Sequence, residues 1–210
     1  MPLDLEEQEK VAELKAWWDR YGNIVIAIAL GASIAFSAWA WWRNHQAGQA
    51  AQASALYEQL SRSAQSNDAK TMREAGGALV ESYGGTLYAS MGALVSAHYY
   101  FEHKDLKSAK AQLQWVLDHS DSDDFRDLAR LRMAGVLLDE KAYEEALKTA
   151  DAPHGAAYDA QFAAMKGDIL VAKGQPADAK AAYKLALEKS AGKNDAFRQA
   201  VQLRLEALGA

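Results

Sequence analysis

A chain of 210 residues with 28 Asp and Glu against 23 Lys and Arg carries a formal net charge of −5 and has no cysteine. The missing thiol excludes disulfides, thiolate nucleophiles and zinc–cysteine sites. No Lys/Arg cluster is dense enough to follow a phosphate backbone, which argues against nucleic acid as a partner.

Alanine, leucine, lysine, glutamate and glutamine dominate, and proline occurs only at Pro2, Pro153 and Pro176, so the predicted fold class is all-α. The chain opens with a net acidic tail, residues 1–20. Residues 21–42 then carry no formal charge. As a helix they would span about 33 Å at about 1.5 Å per residue, which matches a hydrocarbon core of about 30 Å. Trp17, Trp18 and Tyr21 stand at one end of this stretch, and Trp39, Trp41 and Trp42 at the other. Amphipathic rings at both ends suit two headgroup layers, and the segment is predicted to be a transmembrane helix. Ala38-Trp39-Ala40 offers a signal-peptidase pattern. The apolar stretch is longer than an ordinary signal core, however, and the residues before it are acidic rather than basic. Lys10, Lys15 and Arg20 precede the span and Arg43 follows it. This bias predicts a cytoplasmic N-terminus and a C-terminal domain outside, in the periplasm of a two-membrane bacterium. Small residues recur every four positions, at Ala27, Gly31 and Ala35 and again at Ala29, Ser33 and Ser37. Such stripes let a second transmembrane helix approach closely, and Ala27, Gly31 and Ala35 are the candidate contact stripe.

Residues 43–89 read as a divergent helix pair, Gln46–Ser63 and Asp68–Tyr83, broken by Gly84-Gly85. Over 90–193 one pattern recurs three times, anchored on Ala109, Ala146 and Ala179, with spacings of 37 and 33 that bracket the 34 of a tetratricopeptide repeat. Twelve residues before each anchor stand Ala97, Ala134 and Gly167, all small; nine before stand Tyr100, Leu137 and Leu170, all large. Leu113, Ala150 and Tyr183 follow each anchor by four, and Val116, Pro153 and Ala186 by seven. Pro153 predicts an early end to the second helix of the middle copy. Gly174 and Pro176 place a glycine past one helix end and a proline in the first turn of the next. Residues 194–210 read as a closing helix with spread apolar positions, as a cap requires. The architecture expected is one transmembrane helix followed by a tetratricopeptide-like α-solenoid of helix pairs.

No nucleophile elbow, phosphate-binding loop or zinc-helix motif is present, and neither a cofactor nor an enzymatic role is expected. His98 and His103 are five apart and off a common helical face, which does not suit a shared metal. The acidic run Asp118 to Asp124 lacks the central glycine of a calcium loop, and helix capping by Asp121 or Ser122 explains it better. The surface that stands out is the inner face of the first helices. Repeat positions project Met91, Leu94, His98 and Phe101 onto it, then Leu128, Leu131, Gly135 and Leu138, then Gln161, Ala164, Asp168 and Val171. Met91, Leu94, His98, Phe101, Leu128, Leu131 and Leu138 form the candidate protein-binding groove, since a solvated face needs far less apolar surface. A helix of the same chain filling the groove is the competing expectation.

The tail LDLEEQEKVAELKAWWDRYGN, the anchor ending WAWWRNHQ and the alanine-rich repeats that follow resemble the YfgM family of ancillary subunits of the bacterial Sec translocon. The resemblance implies a single-pass inner-membrane protein with a periplasmic helical-repeat domain. It also implies association with the SecYEG translocon and with a PpiD-type membrane-anchored periplasmic chaperone, and a role in receiving unfolded, newly exported proteins. It carries no catalytic or ligand residues. An envelope scaffold that gathers division or cell-wall machinery through the same repeats is the alternative function.

Overall fold

The computed structural model describes residues 5–191 and 195–209. The first four residues of the acidic tail, Gly192 and Lys193 at the end of the repeats, and Asn194 and Ala210 of the closing segment lie outside the described residues. Among the described residues there is helix and turn but no strand. The chain divides into two units, residues 1–49 and 50–210.

Helix α1 (Leu5–Gln65) supplies the regular structure of the first unit. It is long and apolar enough to cross a membrane, with a mean hydropathy of 2.0 over its most apolar window and none of that window buried. Ile24, Ile28, Leu30, Ile34 and Phe36 are all more than half exposed. A helical stretch that is apolar on every side suits lipid rather than water. Its hydroxyls turn inward: Ser33 donates to the Ala29 carbonyl and Ser37 to that of Ser33, each at 2.8 Å. That removes two donors from the hydrocarbon.

The second unit comprises the end of α1, then α2 (Ala69–Ser82), α3 (Leu87–Glu102), α4 (Leu106–His119), α5 (Asp123–Asp139), α6 (Tyr143–Ala150), a 3-10 turn at Ala156–Tyr158, α7 (Asp159–Ala172), α8 (Pro176–Lys189) and α9 (Asp195–Ala207). Successive helices from α2 to α9 pack on one another, while α3, α5 and α7 also stand side by side. The second unit is therefore a helical-repeat solenoid, as the sequence pattern requires.

The turn inside each pair repeats with high fidelity. Asn67, Lys104, Lys141 and Gly174 all have positive φ, at 57, 62, 61 and 81°. In each case the next residue's N–H closes back on a carbonyl five residues earlier: Asp68 on Ser63, Asp105 on Tyr100, Ala142 on Leu137 and Gln175 on Leu170, at 2.8–2.9 Å. This left-handed helix stop satisfies carbonyls that would otherwise lack partners. Only the last copy uses glycine, the residue that adopts this conformation without a Cβ penalty. Asp68 and Asp105 then cap the following helices by accepting from the Thr71 and Ser108 amides.

The pair before the three recognisable repeats shares this turn at the same 37-residue interval, so it has the same geometry. Projecting the anchor back gives Met72, with Leu60 twelve before it and Gly76 four after, and all three are buried. The sizes are exchanged relative to the later copies. Leu60 is large where Ala97, Ala134 and Gly167 are small, and Gly76 is small where Leu113 and Tyr183 are large. A Cβ on Gly76 would stand 3.4 Å from Leu60 Cδ1, so the leucine occupies the space that the glycine leaves. The crossing is filled either way, but a search for small-then-large cannot see it.

The three later copies keep a small residue at each crossing. Ala109, Ala146 and Ala179 are fully buried at the helix crossings. A Cβ on Gly167 would come within 2.4 Å of the Tyr183 ring, so glycine is what admits that tyrosine. The middle copy departs where proline predicts it: α6 has eight residues against 14 in α4 and α8, and ends at Ala150, short of Pro153. The longer connection that follows is tied down by Asp127. This buried carboxylate on α5 accepts from the Gly155 amide at 2.7 Å and from Arg130. Asp127 thereby replaces the helical hydrogen bonds that the connection lacks.

Candidate functional site

An apolar cavity of about 430 Å³ opens between α3, α5 and α7. Its walls are Ala97, His98 and Phe101 from α3, Leu113 from α4, Leu128, Leu131, Arg132, Gly135 and Val136 from α5, and Met165 from α7. Four of the candidate groove residues meet there: His98, Phe101, Leu128 and Leu131. No segment among the described residues fills it.

The other three do not line it. Leu94 is only 5 % exposed and belongs to the shared core. Arg132 reaches across from α5 and donates to the Leu94 carbonyl at 3.1 Å, over the turn where the groove was expected to continue. The sequence projection placed Leu94 on the open face, and helix-to-helix packing removes it. Met91 is half-buried outside the lining, and Leu138 packs at the edge of the core cluster. In the third repeat, Asp168 is engaged by the Tyr183 hydroxyl at 2.7 Å and by Arg204 of α9 at 3.2 Å. That stretch of the projected face is thus taken up by contacts within the chain.

The sequence reading missed Arg132 and Met165. Neither occupies an inner-face position of the repeat; both enter because neighbouring first helices bring them together. A signal for Arg132 existed in its setting, since Leu128, Ala129, Gly135 and Val136, one turn away on either side, are all uncharged. It is not in any ion pair among the described residues, unlike Arg126, Arg130 and Arg204. Partial burial against the cavity wall pulls its pKa below the usual arginine value.

The histidines are placed by aromatic stacking and hydrogen bonding. His103 stacks on Tyr99, His119 on Trp115 and His154 on Phe162, with ring centroids 4.0–4.8 Å apart. His98 Nε2 lies 3.3 Å from Glu102 at the cavity rim. Among the described residues, no three His, Asp or Glu side chains gather as metal ligands would. Ser122, the expected cap, accepts from the Phe125 amide.

In the first unit, Ala27, Gly31 and Ala35 lie exposed along α1. A Cβ on Gly31 would meet nothing within 4 Å. The stripe is open to a neighbouring helix.

A stack of helix pairs that cross on buried alanines, following an apolar helix in the chain, defines the class. A family model described as "Tetratricopeptide repeat-like domain" matches residues 15–210, anchor and repeats together. Within that class the chain belongs to the YfgM family. It is 33 % identical to the "Ancillary SecYEG translocon subunit" of Haemophilus influenzae over 89 % of this chain and 91 % of that protein. Proteins of the same name from Aggregatibacter actinomycetemcomitans and Escherichia coli are 28 % and 24 % identical, each over 99 % of this chain and 99–100 % of their own length. No solved structure matches the chain.

Proposed function

We propose that the chain is a non-catalytic, membrane-anchored ancillary subunit of the SecYEG translocon. The apolar helix holds it in the bacterial inner membrane with the N-terminus cytoplasmic, and the repeats lie in the periplasm. There they bind a PpiD-type chaperone and receive unfolded exported proteins. The observation that carries this reading is the likeness to relatives named for that role, which runs through anchor and repeats alike. The architecture supports it. An exposed small-residue stripe at Ala27, Gly31 and Ala35 suits contact with another transmembrane helix, and an apolar cavity on the repeat domain suits a polypeptide partner.

Site-specific photocrosslinking in intact cells tests it. A photoreactive residue at Gly31 should yield adducts with translocon subunits. One at Leu131 should yield adducts with the chaperone and with exported chains. Adducts with division or cell-wall machinery at both positions would refute the proposal in favour of an envelope scaffold.

A further inference from the structure

Three features of the cavity point to what it accepts. First, its wall is almost wholly apolar, and its volume of about 430 Å³ is near the lower end of ligand pockets, about 300–1,000 Å³. It suits one or two large side chains rather than a folded surface. Second, Arg132 brings a guanidinium to that wall with one N–H committed to the Leu94 carbonyl, while its other N–H groups have no partner among the described residues. Its side chain is exposed at the mouth of the cavity. A guanidinium with spare donors beside an apolar wall is matched by a carboxylate, which it can hold through two parallel hydrogen bonds. His98, the other polar group of the lining, is already beside Glu102. Lys104, over the Phe101 ring, lies 3.6 Å from Asp139.

Third, Gly135 sits in the interior of α5, where glycine disfavours a helix relative to alanine. The fold does not require it there. A Cβ at this position would meet only Met165 Cε, at 3.6 Å, an ordinary contact distance. Gly76, Gly92 and Gly167 differ, since a Cβ on each would stand within about 3 Å of a packed neighbour. A glycine that packing does not demand, on the wall of an apolar cavity, keeps space for something outside the chain.

We propose that this cavity receives a large apolar side chain presented by a partner polypeptide next to a carboxylate, with Gly135 keeping the space open and Arg132 pairing with the acid. The inference rests on the repeat domain being the surface that captures polypeptides, and it names the feature captured.

The test uses the full chain in phospholipid nanodiscs and fluorescein-labelled nonapeptides, read by anisotropy. The parent peptide is Ser-Gly-Ser-Leu-Phe-Glu-Ser-Gly-Ser amide. One variant replaces Glu by Gln, and another replaces Leu-Phe by Ser-Ser. The parent peptide should bind, the Gln peptide about threefold more weakly, and the Ser-Ser peptide not at all. Gly135→Ala should melt no lower than the native chain yet bind the peptide more weakly, and Gly135→Leu should abolish binding. On Arg132→Gln the Glu and Gln peptides should bind alike. Equal binding of those two peptides to the native chain would overturn the proposal, as would undiminished binding to both Gly135 variants. Sodium oleate that binds more tightly than the peptide and is lost with Gly135→Leu would assign the cavity to an amphiphile instead. Co-purification of the translocon with the native chain reads the broader function separately. Translocon capture without peptide binding removes only this inference, and peptide binding without translocon capture removes only the broader function.

Discussion

At the scale of single residues, this domain uses positions that fit their place at some conformational cost. Lys104 and Lys141 hold positive φ in turns where the last copy has Gly174. The left-handed region costs a residue with a Cβ roughly 1 kcal/mol or more. Lys141→Gly should therefore stabilise the domain by about 0.5–1 kcal/mol, measured as a raised midpoint in urea. A lowered midpoint would mean that the lysine side chain contributes more than the backbone strain removes. Tyr183 is buried over Gly167 and donates to Asp168, and both the burial and the carboxylate push its pKa above the ordinary value near 10. Tyr158 is shifted in the same direction, first by burial and then by Asp124 and Asp127. The sign follows from linkage. The folded state prefers the protonated phenols, so their contribution is whole below pH 10 and is lost as the pH rises further. Thermal melts between pH 9 and 11 should show falling stability, and Tyr183→Phe should flatten that slope, leaving a remainder from Tyr158.

At the scale of elements, the boundary of the soluble domain lies inside a helix. Ala53 and Leu60 near the end of α1 are fully buried with Met72 and Leu79 of α2, and Leu60 Cδ2 would stand 3.2 Å from a Cβ on Gly92 of α3. A fragment that begins at residue 50 should keep its helical circular dichroism and a cooperative melt. One that begins at residue 66 removes Leu60 and uncovers the first core cluster. Loss of one such leucine costs about 2–5 kcal/mol, so the shorter fragment should melt markedly lower or bind a hydrophobic dye. Equal melting of the two fragments would show that the α1 segment is dispensable.

For the whole molecule, the decisive question is which side of the membrane each part occupies. The absence of cysteine makes this directly measurable, because one introduced thiol is the only one in the chain. Ala196→Cys, at an exposed site on α9, should react with a membrane-impermeant maleimide in cells whose outer membrane has been opened. Lys10→Cys should react only after lysis. The reverse pattern would invert the topology proposed from Lys10, Lys15 and Arg20.

Local chemistry alone determined the helical class, the apolar anchor and the beats of the solenoid, since each depends on neighbours within a few turns. Ala109, Ala146 and Ala179 were legible as crossing points because only small side chains let two helices approach there. Gly174 and Pro176 were legible because one conformation suits each. Other features depended on which helix lies opposite. Leu94 is as apolar as Phe101 and shares its helix, yet packing against residues far along the chain leaves one buried in the core and the other lining a cavity. Leu60 and Gly76 exchange sizes across a crossing, and only their contact reveals that the first pair has the later geometry. Met165 reaches the cavity from a third helix. Periodicity says which face of a helix is apolar. What covers that face, and where space is left, is set by packing between residues far apart in the chain.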